Sequence, residues 1–360
     1  MDKKNALILN FTANTYHWGC YGTASEIYLS LVDRGYLVNW LDVRTTHSLA
    51  PTPATTQDFD DAKFVRRFFD ANKPVYHALS QADVVVVNGE GTLHRLHTGP
   101  TNLLFLMYAA RKFLGKPVHL INHSFFPSGD EQPNEKVDPL YRGVAAMLTR
   151  VVPRETASAA VIRRLGLKVE QGFDCLPRFI TRHSVPPATT PAGPLVLSGG
   201  VNLTRETARA IAQAVTGTGG SGRRICFLTG AKSSPAQEDA ATFALMLEVI
   251  PELELVDATS MKMWLETMAH ASCVISARFH HTIAAAALGT PVVAFPSNTP
   301  KVEAICDMFK LHPPIPPTDP HFVEKTRLQV QSALNGQAPT VGETTRRTIL
   351  DLAENNFSGL

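Results

Sequence analysis

Long apolar runs are missing from this chain of 360 residues. No segment approaches the roughly 20 consecutive apolar residues of a membrane span, so at most peripheral membrane contact is expected. The opening MDKKNALILNF holds an apolar run too short for a signal-peptide core, which points to a cytoplasmic protein. Cysteine is scarce: Cys20, Cys175, Cys226, Cys273 and Cys306 are odd in number, scattered, and never form a CxxC pair. That pattern argues against a disulfide framework or a zinc site and suits reduced, buried thiols. An excess of one charge is absent too, with 34 Lys and Arg against 32 Asp and Glu for a net charge of +2. A nucleic-acid partner is therefore not expected, and any affinity for anions has to be local. The sequence has no HExxH and no DxD at a strand end, so neither a metal nor a resident cofactor is called for.

What is present is an alternation. Short apolar runs bounded by turn residues are each followed by a longer segment at helical spacing, the pattern of a parallel sheet covered by helices. The length exceeds what one core usually supports, so two domains are expected. Strands are predicted over 6–11, 36–41, 83–88, 118–122 and 150–152, with helices over 23–34, 58–72, 101–114, 134–148 and 155–165. Residues 177–194, PRFITRHSVPPATTPAGP, hold five prolines and read as an extended linker. The pattern then restarts with strands over 195–197, 224–228, 253–256, 273–276 and 292–295. Helices are predicted over 205–215, 235–250, 260–269, 280–288 and 300–309, with terminal helices over 320–334 and 342–355. Residues 217–222 read as a surface turn. The fold class is α/β, with two Rossmann-like, doubly wound parallel-sheet domains: 1–176 on the acceptor side, a linker 177–194, and 195–335 on the donor side. Residues 336–360 form a C-terminal helix able to pack back on the first domain. Two such domains would face a cleft, where open α/β sheets bind ligands.

The most informative segment is 273–301, CVISARFHHTIAAAALGTPVVAFPSNTPK. Its strand ends where Arg278 and His280 stand at a helix start, and backbone N–H groups there attract anions. An arginine fork adds bidentate recognition of carboxylate or phosphate. Lys301 opens the next helix, so Arg278, His280 and Lys301 are expected to converge on one anionic ligand. This segment resembles the C-terminal signature of the polysaccharide pyruvyl transferase family. Two upstream blocks resemble that family as well: 84–93, with Asn88, Gly89, Glu90, Gly91, Thr92 and Leu93, and 153–169, which opens Pro153, Arg154, Glu155.

The resemblance implies a fold similar to that of GT-B glycosyltransferases. It also implies transfer of a pyruvyl group from phosphoenolpyruvate to two sugar hydroxyls as a ketal, in assembly of a surface polysaccharide. Arg278 then matches the arginine that binds the anionic donor, His280 the general acid or proton shuttle, and Lys301 the lysine at the next strand end. Imidazole suits protonation of an enol phosphate near neutral pH. His281, Glu303 and Gly230 complete the expected donor side, and it stays open whether His280 or His281 faces the donor. The first loop, 14–22, departs from the family's glycine-rich turn. His17 and Trp18 there, with Asn88, His94 and His123, are expected to bind a saccharide acceptor, free or lipid-linked. Glu90, where the family often has glycine, is a candidate base toward an acceptor hydroxyl. The rival reading is a GT-B glycosyltransferase using a nucleotide-activated sugar such as a CMP-linked acidic one, with Glu303 on ribose hydroxyls. A non-catalytic saccharide- or nucleotide-binding protein is the third.

Overall fold

The computed structural model describes residues 3–184, 193–201, 203–218, 223–231 and 234–360. Its strands form two five-stranded parallel sheets. The first holds β1 (Asn5–Phe11), β2 (Leu37–Asp42), β3 (Val84–Glu90), β4 (Val118–His123) and β5 (Arg150–Pro153) in the order β2-β1-β3-β4-β5. The second holds β6 (Leu195–Gly200), β7 (Ile225–Leu228), β8 (Glu254–Val256), β9 (Cys273–Ala277) and β10 (Val292–Ala294) in the order β10-β9-β6-β7-β8. Central strands explain the continuous apolar runs: every residue of β3 is buried, because helices cover both faces. Each sheet has one place where successive crossovers run in opposite directions, between β1 and β3 in the first and between β6 and β9 in the second. The crevice outside the carboxyl ends of such strands is where doubly wound folds take their ligands.

Contacts divide the chain into two compact units. One comprises Met1–Thr12, Ala24–Cys175 and Asp351–Leu360; the other comprises Ala13–Thr23 and Leu176–Leu350. The second unit therefore includes residues 13–23, which the sequence reading assigned to the first domain. The terminal stretch 336–360 is likewise split at residue 351. Each unit has its own core, with Phe68, Phe105, Phe125 and Tyr141 among the large side chains of the first and Phe227 and Phe295 among those of the second.

Helix boundaries differ from expectation in four places. The helix expected from 23 begins at Trp18, and Gly19 and Gly22, read as turn residues, lie in its first turns because neighbours leave no room for a side chain. A helix over Val43–Ser48, capped by the Asp42 carboxylate accepting from the Arg44 N–H at 2.9 Å, replaces part of an expected loop. The segment predicted over 58–72 is a short 3-10 turn followed by helix Ala62–Ala71, and a further helix runs over Lys73–Gln81. The expected linker begins as helix Leu176–Arg182, where Pro177 occupies a first-turn position that needs no N–H donor. The remainder of that linker falls largely on 185–192, outside the described residues, as does 219–222 of the predicted surface turn. No described helix is long and apolar enough to cross a membrane.

Candidate functional site

In the second unit, the reversal between β6 and β9 is stitched by side chains. Ser198 Oγ on β6 donates to Ser276 Oγ on β9 at 2.7 Å, and Ser276 Oγ accepts from the Arg278 N–H at 2.9 Å. Arg278 is the N-cap of helix Phe279–Leu288, so its side chain leaves the strand end where the helix begins. Its guanidinium, 4% exposed, pairs side-on through Nε (3.1 Å) and Nη2 with one carboxylate oxygen of Asp239. Burial pushes the Asp239 carboxyl up, and the guanidinium opposes that shift. The pair lies directly against β6: a Cβ on Gly199 would meet the Asp239 Oδ1 at 2.3 Å. Helix Ser234–Leu247, which carries Asp239, thus fixes the plane of the arginine fork over the sheet reversal.

His280 lies in the first turn of helix Phe279–Leu288 and is buried. Its ring meets His17 edge-on at 5.2 Å between centroids, and its Nδ1 is 3.9 Å from Cys20 Sγ. The close approach depends on Gly19, where a Cβ would stand 2.2 Å from the Cβ of His280. Lys301 Nζ donates to Asn298 Oδ1 at 2.7 Å and sits 5.9 Å over the ring of Phe279, which keeps a buried cation beside the same helix start. Among the described residues, His17, Cys20 and His280 are the one grouping of three whose ligand-type atoms fall within 4.8 Å of one another.

In the first unit, a buried polar network covers the reversal between β1 and β3. Glu90 Oε1 accepts from Thr12 Oγ1 and from Asn88 Nδ2, the latter at 3.2 Å. Asn10 Nδ2 donates to the Asn88 carbonyl at 2.7 Å and to Thr92 Oγ1 at 3.0 Å, and Asn122 Nδ2 donates to Asn88 Oδ1 at 2.8 Å. Asn10, Glu90 and Asn122, each at the carboxyl end of its strand, have left-handed φ values of 61°, 37° and 50°. Three strained non-glycine residues at one sheet reversal indicate a site over-determined by its surroundings. Within it, both nitrogens of His123 and Asn10 Oδ1 are buried with no hydrogen-bond partner among the described residues. Burial, with Arg154 nearby, lowers His123 to about 3. Arg154 itself is held by Asp174 at 3.0 Å and Ser124 at 3.1 Å.

A sequence profile described as polysaccharide pyruvyl transferase matches residues 28–299. The chain belongs to that family. It is therefore a transferase, and no curated protein matches it by sequence. Its fold is shared with the UDP-GlcNAc 2-epimerase of Methanocaldococcus jannaschii, solved with UDP-GlcNAc and UDP. That likeness has 12% identity and a TM-score of 0.56 over 98% of this chain and 99% of the other. It is shared too with the sucrose-phosphate synthase of Thermosynechococcus elongatus, at 13% identity and a TM-score of 0.57 over 97% of this chain and 95% of the other. Both likenesses establish the architecture, two Rossmann-like domains of GT-B type.

In this pyruvyl transferase family member, the motif residues group by unit. Arg278, His280 and Lys301 lie around one helix start in the second, and Asn88, Glu90 and His123 lie at adjoining strand ends in the first. Six of the expected site residues are placed as follows. His281 accepts from Trp264 Nε1–H at 3.1 Å, and burial holds it well below the ordinary imidazole value, with Arg278 and His280 adding to the effect. Its Nε2 thus serves Trp264, while its Nδ1 is buried with no hydrogen-bond partner among the described residues. Trp18 donates from Nε1 to the Ala258 carbonyl at 2.8 Å and packs on Gly230, where a Cβ would lie 2.5 Å from its ring. Trp18 is therefore built into the second unit, and Gly230 (φ 127°) makes room for its ring. His17 stands beside His280 and Cys20 in the second unit, not on the acceptor side. His94 has its ring Nδ1 2.8 Å from the Gly91 carbonyl and its backbone bridged to Phe126, and Glu303 is exposed in the first turn of helix Lys301–Phe309.

The sequence reading missed Asp239, which follows Gln237 and Glu238 near the start of helix Ser234–Leu247 with nothing to mark it. It also missed Cys20, whose signal was its i,i+3 spacing from His17 once a helix start at Trp18 is recognised.

Proposed function

We propose that this transferase moves a pyruvyl group from phosphoenolpyruvate to two hydroxyls of a saccharide, forming a ketal and releasing phosphate. The observation that supports this most is the pairing of Arg278, its fork fixed by Asp239, with His280 on the first turn of the same helix. Phosphoenolpyruvate carries a carboxylate and a phosphate. A guanidinium, a buried ammonium at Lys301 and the N–H groups of a helix start supply complementary charge. Lys301 lies at a helix start, where the dipole disfavours a cation, and an anionic ligand would relieve that cost.

The chemistry then needs one proton on the methylene carbon of the enol, which His280 gives as a general acid, while an acceptor hydroxyl adds to the neighbouring carbon. Departure of phosphate and addition of the second hydroxyl close the ketal. Because His280 Nδ1 faces Cys20, proton transfer to substrate runs through Nε2. The buried hydroxyl, amide and carboxylate groups around Glu90 in the first unit suit hydrogen bonding to a polyhydroxylated saccharide.

The test is a thermal-shift comparison of phosphoenolpyruvate, CMP and UDP, followed by mass spectrometry of a saccharide acceptor. A ligand at one hundred times its Kd raises native stability by about 2.7 kcal/mol, so the true donor class separates clearly. Phosphoenolpyruvate should raise Tm and the nucleotides should not. Arg278→Ala should abolish that response, and His280→Ala should keep it while losing product. A shift with CMP or UDP alone would establish the nucleotide-sugar reading in place of this one.

A further inference from the structure

Cys20 stands apart from the other cysteines because two imidazoles meet its sulfur. It is the third residue of helix Trp18–Asp33, with Sγ 3.7 Å from His17 Nε2 and 3.9 Å from His280 Nδ1. The hydrogen bonds assign the proton on His17. That residue caps the helix: its carbonyl accepts from the Tyr21 N–H at 3.1 Å, and its Nδ1 accepts from the Gly19 N–H at 3.1 Å. A ring nitrogen that accepts carries no hydrogen, so the hydrogen of neutral His17 is on Nε2, aimed at the sulfur. His280 Nδ1 is then placed to take the thiol proton.

We propose that Cys20 and His280 form a nucleophile–base pair, a covalent site for small, soft electrophiles that His17 supports by donating to the sulfur. The inference does not depend on pyruvyl transfer. In the reaction, Sγ supplies the electron pair for a new bond to an electrophilic carbon or sulfur. Its proton passes to His280 Nδ1, and the leaving group departs with its own pair. His17 Nε2–H and the positive end of the helix stabilise the sulfur as its charge develops. Among the described residues, the charged or titratable groups around the pair include His17, His281, whose ring is 6.3 Å from that of His17, and Arg278 beside His280. Cys20 is itself buried, 4% exposed, so what distinguishes it is the two imidazoles at its sulfur; burial pushes Cys273 and Cys306 up to about 12 and raises Cys226. A metal fits this trio less well. Coordination by His17 Nε2 needs a lone pair there and a hydrogen on Nδ1, where the Gly19 N–H already points.

The experiment treats the full-length protein with iodoacetamide at neutral pH and follows intact mass and peptide maps. Attack forms an S–C bond, breaks the C–I bond and releases iodide. One adduct is expected, on Cys20 and absent from Cys20→Ser, with Cys175, Cys226, Cys273 and Cys306 unlabelled. His280→Gln, which keeps side-chain bulk without a base, should slow labelling on the order of a hundredfold at unchanged Tm. His17→Gln should slow it about tenfold, and it carries the comparison if His280→Gln does not fold. No adduct on native Cys20, or equal rates in the variant that folds, would overturn the pair. So would native mass spectrometry showing one divalent metal that protects Cys20 until a chelator is added. Labelling needs no turnover, so its failure is distinct from failure of the pyruvyl-transfer reading.

Discussion

Gly19 illustrates how one missing side chain sets chemistry. Its backbone lies so close to His280 that a methyl group would overlap the Cβ and the Cγ, at 2.2 and 2.6 Å. Those atoms belong to the first turn of a packed helix and cannot swing aside. Gly19→Ala should therefore cost about 1–3 kcal/mol by overpacking, despite alanine's better helix propensity. It should also slow alkylation of Cys20 by separating Sγ from His280 Nδ1. Denaturant titration and labelling read the two effects, and a stabilised variant with unchanged labelling would contradict the contact. Asp239 gives a second test at this scale. Removing Asp239 strips the buried guanidinium of its nearer carboxylate and leaves Glu238 at 3.8 Å, so Asp239→Ala should destabilise the second unit, by up to about 3–5 kcal/mol. Asp239→Asn, which can still accept from the guanidinium, should cost less and keep the orientation of the fork.

Among the elements, the parallel strands were legible because burial on both faces makes each a continuous apolar run, as Val84 to Val87 show. The candidate site motif was legible for a related reason: Arg278 and His280 follow β9 directly, so locating the strand locates them. Helix starts were less so. Glycines at 19 and 22 and the proline at 177 are ordinary turn signals, and only tertiary contacts with His280, Met261, Leu176 and Phe179 turn the two glycines into helix-packing positions. The last segment depends on tertiary contacts too. Residues 351–360 belong to the first unit: Asn356 Oδ1 accepts from the Asn122 N–H at 2.9 Å, and its Nδ2 donates to the Phe173 carbonyl at 2.7 Å. Arg34 stacks over Phe357, which is buried, and pairs with Glu354. Phe357→Ala should cost the first unit about 3–5 kcal/mol by opening a cavity next to the strained strand end at Asn122. Thermal melting checks this, and a Tm equal to that of the unaltered protein would show that the segment is dispensable.

For the whole molecule, the buried histidines predict how stability responds to acid. Burial lowers His123 to about 3 and His119 to about 4 in the first unit, and holds His281 well below its ordinary value in the second. Arg154, Arg150 and Arg278 respectively deepen these shifts. Each ring stays neutral in the native state but takes a proton near pH 6.5 once unfolded. The stability they contribute is thus present above about pH 6.5 and lost as pH falls toward the lowered native values. Each such histidine should tilt the unfolding free energy by about 1.4 kcal/mol per pH unit, before carboxylates begin to titrate below about pH 4.5. The first unit carries two of these three, and burial lowers its His47 and His97 as well, so wherever two unfolding transitions are resolved, its transition should move at least twice as far between pH 6.5 and 4.5. His119→Gln should flatten the slope of the first transition and leave the second alone. Urea titrations across that window decide it: equal slopes for both units, or none, would mean that these imidazoles do not stay neutral in the folded protein.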